Sequence, residues 1–300
     1  MNLAEIETFL MIVKTKNITK TASGLFLSQP TVSHRLKLLE EELEVKLITR
    51  KKGYKQIELT SHGQAFVPIA ERWISVWQEM QRLKNAQEKL YLTIGCTDTL
   101  NSVILFDLYK KMLQKEDHMM TLKIKTHYSR EIYDLLENHE IDLGFVYHHL
   151  YYKNIVAEPI LREKMYIIQS ANTKLKKPAL HTDELDKNWE IFLSWETNYQ
   201  IWHDEWVSNG EDPRVNVDTF ELLLHLLSDD RMWVIAPISV VKRIQTLRDV
   251  YVSDIANQVA PPERITYEIK HKYQNDATLK SIQLFEAMLN TFLENRPWVY

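Results

Sequence analysis

Apolar residues in the first 60 positions recur at helical spacing in three short runs. Leu3, Ile6, Phe9, Leu10 and Val13 trace one face of an amphipathic helix. The segment from Thr19 predicts a second, shorter helix, capped by Thr19, with Ala22, Leu25 and Phe26 turned inward. Ser28 is a good N-cap for a third, and Pro30 falls in its first turn, where a missing N–H costs little. Along that third helix Val32, Leu36, Leu39 and Leu43 make one apolar stripe, while Pro30, Ser33, His34 and Lys37 occupy the opposite face. Three helices with an apolar interior and one polar, basic face describe a helix-turn-helix unit. An ordinary surface helix pair has the same spacing, so the residues that follow weigh in the choice. Positions 50–58, Arg-Lys-Lys-Gly-Tyr-Lys-Gln-Ile-Glu, form a cationic turn between the apolar runs Leu47-Ile48 and Ile57–Leu59. That is the composition of a β-hairpin wing, with Gly53 available for the turn.

Beyond Thr60, itself a reasonable helix cap, the pattern lengthens. Phe66, Ile69, Trp73, Val76, Met80, Leu83, Gln87 and Leu90 are separated by alternating steps of three and four. Such a heptad seam predicts a helix that pairs with a second copy, with Ile69, Trp73, Val76, Met80 and Leu83 at the contact. Pro68 should kink this helix or mark its true start. From Leu90 the period changes again. Strands are predicted at Leu92–Gly95, Leu122–Thr126, Asp142–Tyr147, Met165–Gln169, Glu190–Leu193, Trp233–Ala236 and Thr266–His271. Helices are predicted near 100–115, 130–138, 199–209, 220–228, 237–246 and 277–294. The alternation argues for an α/β body with largely parallel sheets and room for two lobes, with ligands beyond the carboxyl ends of strands.

Charge sharpens this division. Residues 1–60 carry ten Lys or Arg against seven Asp or Glu, a net of +3, whereas the whole chain is −4. A basic module on an acidic body is the asymmetry of a nucleic-acid reader, and its modest excess favours a dimer that doubles the phosphate contacts. Cys96 is the only cysteine, which rules out an intrachain disulfide or a cysteine-cluster metal site, and it reads as a small buried hydrophobe. The eleven histidines show no metal-ligand spacing, and no phosphate loop, dinucleotide fingerprint or nucleophile elbow is present. No clustered catalytic set stands out, so no enzymatic activity, metal or cofactor is expected. The N-terminal apolar run is too short for a signal peptide and no stretch reaches membrane-spanning length, so a cytoplasmic chain without membrane contact is expected. The alternative is a solute-binding or enzymatic α/β domain fused to a DNA-binding module.

The first 60 residues closely resemble the DNA-binding domain of the LysR-type transcriptional regulators. The resemblance rests on Phe9, Ala22, Leu25, Leu27-Ser28-Gln29-Pro30, Val32-Ser33, Leu36, Leu39-Glu40, Leu43, Leu47, Arg50, Leu59-Thr60 and Gly63. Glu44 departs from a usual glycine, Ile48 from a usual Phe and His34 from a frequent Arg, and the wing is about two residues longer than the commonest form. More loosely, Leu92–Gly95 and the stretch from Leu135-Leu136-Glu137 to Ile141–Gly144 resemble that family's effector domain. The resemblance implies an N-terminal all-α winged helix-turn-helix domain at 1–60, a linker and dimerisation helix at 61–89, and a C-terminal α/β effector domain at 90–300. That last domain would have a two-lobed, periplasmic-binding-protein-like fold, with 90–163 plus 266–300 in one lobe and 164–265 in the other.

It further implies that Gln29, Pro30, Thr31, Ser33, His34 and Lys37 face the DNA major groove. Lys51, Lys52, Tyr54 and Lys55 would follow phosphates or the minor groove. Gln pairs with adenine, while His and Lys reach guanine or the backbone, so the residue types agree with those roles. A small effector is implied between the lobes, held by Thr97, Asp98 and Thr99 after the first strand, where a helix N-terminus suits an anion. Ser129, Tyr147, His148 and the turn containing Trp195 and Thr197 are further candidates for that cleft. Ordinary capping or loop hydrogen bonding is the competing reading for each. Double-stranded DNA at an inverted repeat, an unidentified effector and a homodimer, usually a homotetramer, are the implied partners; RNA polymerase is a further candidate. Asp229–Trp233 replaces a usual glycine pair and is expected to reshape a cleft wall. Trp189, Trp195, Trp202 and Trp206, crowded into eighteen residues, suit either core or an aromatic-lined pocket.

Overall fold

A computed structural model describes residues 1–50, 57–84, 90–114, 120–208 and 212–296. The chain folds into two compact units, Met1–Glu88 with Asn138–Glu140, and Lys89–Glu137 with Ile141–Tyr300.

In the first unit, α1 (Leu3–Thr15) opens with a capping box between Asn2 and Glu5. Helix α2 spans Ile18–Gly24 and α3 spans Gln29–Glu42. The cap of α2 is Asn17, not Thr19: Asn17 is extended and its side chain accepts the Lys20 N–H at 3.0 Å, while Thr19 already lies inside the helix. Ser28 caps α3 as predicted, accepting the Thr31 N–H. Ile6, Phe9, Ile12, Ala22, Val32, Leu36 and Leu39 form the buried interior. Phe26 does not join them; it is 95% exposed. It sits at φ 56° after α2, where its N–H reaches Ser23 O and the Leu27 N–H reaches Ala22 O. This Schellman closure turns Phe26 out and sends Leu27 onto the core. Helix α3 ends the same way, with Glu44 at φ 55° and the Val45 N–H on Glu40 O. The left-handed backbone accounts for glycine being the usual residue at the position Glu44 holds.

Strands β1 (Ile48–Arg50) and β2 (Ile57–Leu59) pair antiparallel and form the base of the wing. Glu40 holds that base to α3: its buried carboxylate accepts from the Leu47 and Ile48 N–H groups at 2.9 and 3.3 Å, and from Lys46 Nζ at 2.6 Å. Thr60 caps α4 (Ser61–Lys84), accepting the Gly63 N–H at 2.9 Å. A Cβ at Gly63 would stand 2.0 Å from the Leu47 carbonyl oxygen, so only glycine allows this approach. The helix runs through Pro68, which therefore does not mark its start.

The second unit begins with β3 (Leu90–Cys96), a π-helical turn Leu100–Leu105, α5 (Phe106–Leu113), β4 (Met120–Thr126), α6 (Ser129–Glu137), β5 (Leu143–Val146) and β6 (Ile155–Glu163). It continues with β7 (Met165–Ser170), β8 (Ala179–Leu180), β9 (Ile191–Leu193), α7 (Thr197–His203), β10 (Val215–Val217) and α8 (Phe220–Leu226). Then come β11 (Trp233–Pro237), α9 (Ile238–Gln245), β12 (Val250–Ile255), β13 (Arg264–His271) and α10 (Asp276–Glu294). One sheet has the order β4-β3-β5-β13-β6 and the other β11-β7-β12-β8. The parallel pair β9–β10 joins the second through a bridge between Glu190 and Trp233. The sheets are mixed rather than largely parallel, because β13 runs antiparallel to both β5 and β6, and β7 antiparallel to β11 and β12. Strand β6, absent from the sequence reading, carries Pro159 beside a register shift opposite Thr266 and Tyr267. It lies at the sheet edge, where a missing N–H is tolerated.

The chain crosses between the sheets twice, at Lys164 and at residues 256–263. Both crossings meet at one buried ion pair. Arg264 Nε and Nη2 donate to Glu163 Oε2 at 3.1 and 2.6 Å, Nη2 also donates to Ser239 Oγ at 2.9 Å, and Glu163 Oε1 accepts the Ser239 N–H at 2.9 Å.

Candidate functional site

Helix α3 sorts its side chains by face. Val32, Leu36 and Leu39 are buried, whereas Gln29, Pro30, His34 and Lys37 are exposed and Thr31 and Ser33 half-exposed. Gln29 Nε2 donates to Thr19 Oγ1 at 2.9 Å, which steadies the first turn of α3 against α2. Lys37 pairs with Glu41 one turn on, at 3.3 Å and well exposed, so its ammonium stays available to another anion. The wing candidates Lys51, Lys52, Tyr54 and Lys55 lie outside the described residues.

On α4 the heptad positions part company. Phe66 and Trp73 pack on the unit's own core, and Trp73 stacks on Trp77 with centroids 5.6 Å apart. Ile69, Val76 and Met80 instead form an exposed apolar stripe, 58, 48 and 50% exposed. Trp73 thus belongs to the core as much as to any seam, and the side chain of Leu83 lies outside the described residues.

In the second unit a cleft of about 600 Å³ opens at the carboxyl ends of the strands. Thr97, Asp98, Thr99, Ser129, Tyr147, His148 and Trp195 all line it. Thr197 does not: helix α7 begins there and carries it to a neighbouring cavity of about 530 Å³, beside Glu196 and Asn198. The sequence reading missed Tyr128, Arg130, Leu150, Leu193 and Asp218. Leu193 and Asp218 follow from the strand-end rule once β9 and β10 are known to be parallel neighbours, but β10 has only three residues.

Two hydrogen bonds span this cleft. Asp98 accepts the Phe220 N–H at 3.0 Å, and the Tyr128 hydroxyl donates to Asp218 at 3.4 Å. The Ser129 hydroxyl accepts the Tyr147 N–H at 3.3 Å, so it also orders the floor. Burial pushes the Tyr147 phenol well above its ordinary value, against the opposing pull of the Arg264 guanidinium and the nearby Thr97 hydroxyl. Tyr147 is therefore a neutral donor at physiological pH. Burial likewise lowers His148, keeping it neutral, and raises the Cys96 thiol, which is fully buried and unreactive as a nucleophile.

Trp233 does not shape the cleft. It is buried in the second sheet, with Nε1 donating to Asp186 O, while Arg231 lies over the Trp189 ring at 3.5 Å and pairs with Asp229. Of the four crowded tryptophans only Trp195 lines the cleft; Trp189, Trp202 and Trp206 pack with the core.

A helix-turn-helix with a wing base and a polar, cationic outer face stands in one chain with a two-lobed α/β body that holds a cleft, and two family models match these two parts. Residues 3–64 match the family model of bacterial regulatory helix-turn-helix proteins of the lysR family, and residues 85–281 match the LysR substrate binding domain. The chain belongs to the LysR family. It is 31% identical over 150 residues to the transcriptional regulator CitR of Bacillus subtilis, across 48% of this chain and 50% of CitR. It is 28% identical over 173 residues to a probable RuBisCO transcriptional regulator of Phaeodactylum tricornutum, across 55% of each. The chain thus spans about half the length of the curated relatives it matches. Full-length CbnR in complex with its target DNA superposes with a TM-score of 0.67 at 19% identity, covering 97% of this chain and 100% of CbnR, a likeness of fold. Among the described residues no helix is long and apolar enough to cross a membrane.

Proposed function

We propose that this chain is a sequence-specific DNA-binding transcriptional regulator whose activity responds to a small molecule bound in the cleft of its α/β body. The observation that carries the reading is the outer face of α3, where Gln29, Pro30, His34 and Lys37 are exposed while the opposite face packs the core. A helix presented in this way fits the major groove, with Thr31 and Ser33 within reach of bases or backbone. Lys51, Lys52, Tyr54 and Lys55 would add phosphate contacts, and these raise affinity for every sequence alike.

One copy carries a small positive excess, so the reading includes a homodimer paired through Ile69, Val76 and Met80 on α4, continued toward Leu83, and a homotetramer beyond it. Two twofold-related helices would read an inverted repeat. The domains follow as 1–60 for DNA, 61–89 for pairing and 90–300 for the effector, in the cytoplasm, with RNA polymerase as the downstream partner and no chemistry performed. The effector would touch Thr97, Asp98, Thr99, Ser129, Tyr147, His148 and Trp195. By favouring one arrangement of the lobes, it would change the assembly that DNA sees.

Selection of random duplexes on the purified protein, followed by gel shifts, tests this. The expected product is an inverted repeat. Gln29→Ala and His34→Ala should change base preference, whereas Lys52→Ala should weaken all sequences alike. A protein that binds selected and scrambled duplexes equally overturns the reading.

A further inference from the structure

Gln29 stands on the outer face of α3 with part of its amide already engaged. Its Nε2 donates to Thr19 Oγ1 at 2.9 Å, ten residues back on α2, and both residues are exposed. Thr19 is a fixed point. Asn17 caps α2 by accepting the Lys20 N–H at 3.0 Å, and the Thr21 hydroxyl donates to Asn17 O at 2.9 Å. The left-handed closure at Phe26, with the Leu27 N–H on Ala22 O at 2.8 Å, sets how α3 leaves α2. Ser28 Oγ meets the Thr31 hydroxyl at 2.7 Å and accepts the Thr31 N–H at 3.3 Å. The first turn of α3 therefore presents side chains that are tied from within the domain. A side-chain amide has one acceptor oxygen and two N–H hydrogens, one on the oxygen's side and one pointing away from it. When glutamine pairs with adenine, the oxygen accepts from the adenine N6–H and an N–H donates to N7. That pairing uses the hydrogen on the oxygen's side and leaves the other for Thr19. The orientation with Nε2 toward Thr19 thus allows both at once. The reverse orientation gives the oxygen to Thr19 and turns an NH2 group outward, which suits the O6 and N7 acceptors of guanine.

We infer that Thr19 determines base specificity through Gln29: by holding one N–H of the amide, it fixes the side chain in the orientation that selects adenine. Thr19 is a positioning residue and makes no base contact of its own in this role. The inference deepens the reading of α3 as the recognition helix and rests on it. Because the amide is oriented before DNA arrives, the complex avoids the entropic cost of ordering that side chain.

The test uses the full-length protein and the duplex it selects from a random pool. Every base pair is placed in turn at each half-site position, and affinities are read by gel shift at one salt concentration. Gln29→Ala should flatten the preference at one position of the half-site, and the base lost there should be adenine, on either strand. Thr19→Val keeps the shape and removes the hydroxyl. It should lower the adenine preference at that position about fivefold and leave the other positions unchanged. Thr19→Ser should restore it, and Thr19→Val added to Gln29→Ala should change nothing further. Thermal melts verify that each variant is folded. A Thr19→Val loss equal at every position assigns Thr19 to a phosphate and overturns the inference, as does an unchanged preference. A loss that persists without Gln29, or that serine leaves unrepaired, overturns it as well. A G·C pair preferred at the Gln29-dependent position overturns the amide orientation and leaves the recognition helix standing. If Gln29→Ala alters no position, the reading of Gln29 as a base contact falls together with the inference.

Discussion

Replacing Glu163 with Gln should destabilise the α/β body by about 3 kcal/mol, near the lower end of the range for breaking a buried ion pair. The Glu163 and Arg264 side chains are 0 and 1% exposed, so water cannot screen what is left behind. The carboxylate accepts three hydrogen bonds, two from Arg264 and one from the Ser239 N–H. Glutamine keeps one acceptor oxygen, which can still take both Arg264 bonds, but then sets its NH2 group against the Ser239 N–H, and the guanidinium loses its counter-charge. Glu163→Ala should cost more, about 5 kcal/mol, since it also leaves the Ser239 N–H unmet. Urea unfolding followed by tryptophan emission reads these losses, because Trp195 and Trp233 are buried in this unit. A double replacement, Glu163→Leu with Arg264→Met, removes both charges and should recover most of the loss. A cost below about 1 kcal/mol for Glu163→Gln, or a double variant less stable than the single ones, would refute the reasoning.

Three other outcomes are expected. Val76→Glu should leave the fold intact and lower the solution mass measured by light scattering; an unchanged oligomer would count against the exposed α4 stripe. Glu40→Ala leaves the Leu47 and Ile48 amides without their acceptor, at about 2–4 kcal/mol, with the exposed Lys46 contributing little. Hydrogen exchange should accelerate in peptides covering 43–50, and unchanged protection there would contradict the wing-base assignment. Glu268 is held up at about 7 by burial and by its hydrogen bond to Glu286, against the pull of Lys270. Its folded value lies above the ordinary 4.5, so the folded state binds the extra proton and stability falls as pH rises from about 4.5 through about 7. Glu268→Gln should flatten that slope in urea melts taken across this window.

What could be read from the sequence was what is local. Ser28 before Pro30 and the stripe Val32, Leu36 and Leu39 combine cap chemistry with period, and both recur in α3. Asn17 and Thr19 are both good caps two residues apart, and only the packed position of α2 decides between them. Phe26 looked interior because it is apolar, but a left-handed backbone overrides side-chain preference. Strands β8 and β10 have two and three residues, too few to show a period, and Pro159 disguised β6. In the cleft, Thr97–Thr99 were legible as hydroxyls after a strand. Asp218 reaches it from an element far along the chain, and no spacing rule joins it to Thr97. Thr197 failed because one helix start, two residues past Trp195, redirects it to the neighbouring cavity.

The strand order of the first sheet also bears on how the chain is made. Strands β5 and β6 are joined in the sheet only through β13, and α10 seals the same core with Phe285 against Phe145. During synthesis β5 keeps one edge open and β6 has no partner strand until residues 264–271 emerge, whereas the strands of the other sheet all lie between residues 165 and 255. Pairings of such long sequence separation close slowly and expose strand edges to neighbours. A nascent chain stalled or cut short near residue 260 would leave one edge of β5 open and β6 without a partner strand, so aggregation rather than loss of ligand affinity is the first symptom to expect of such a truncation.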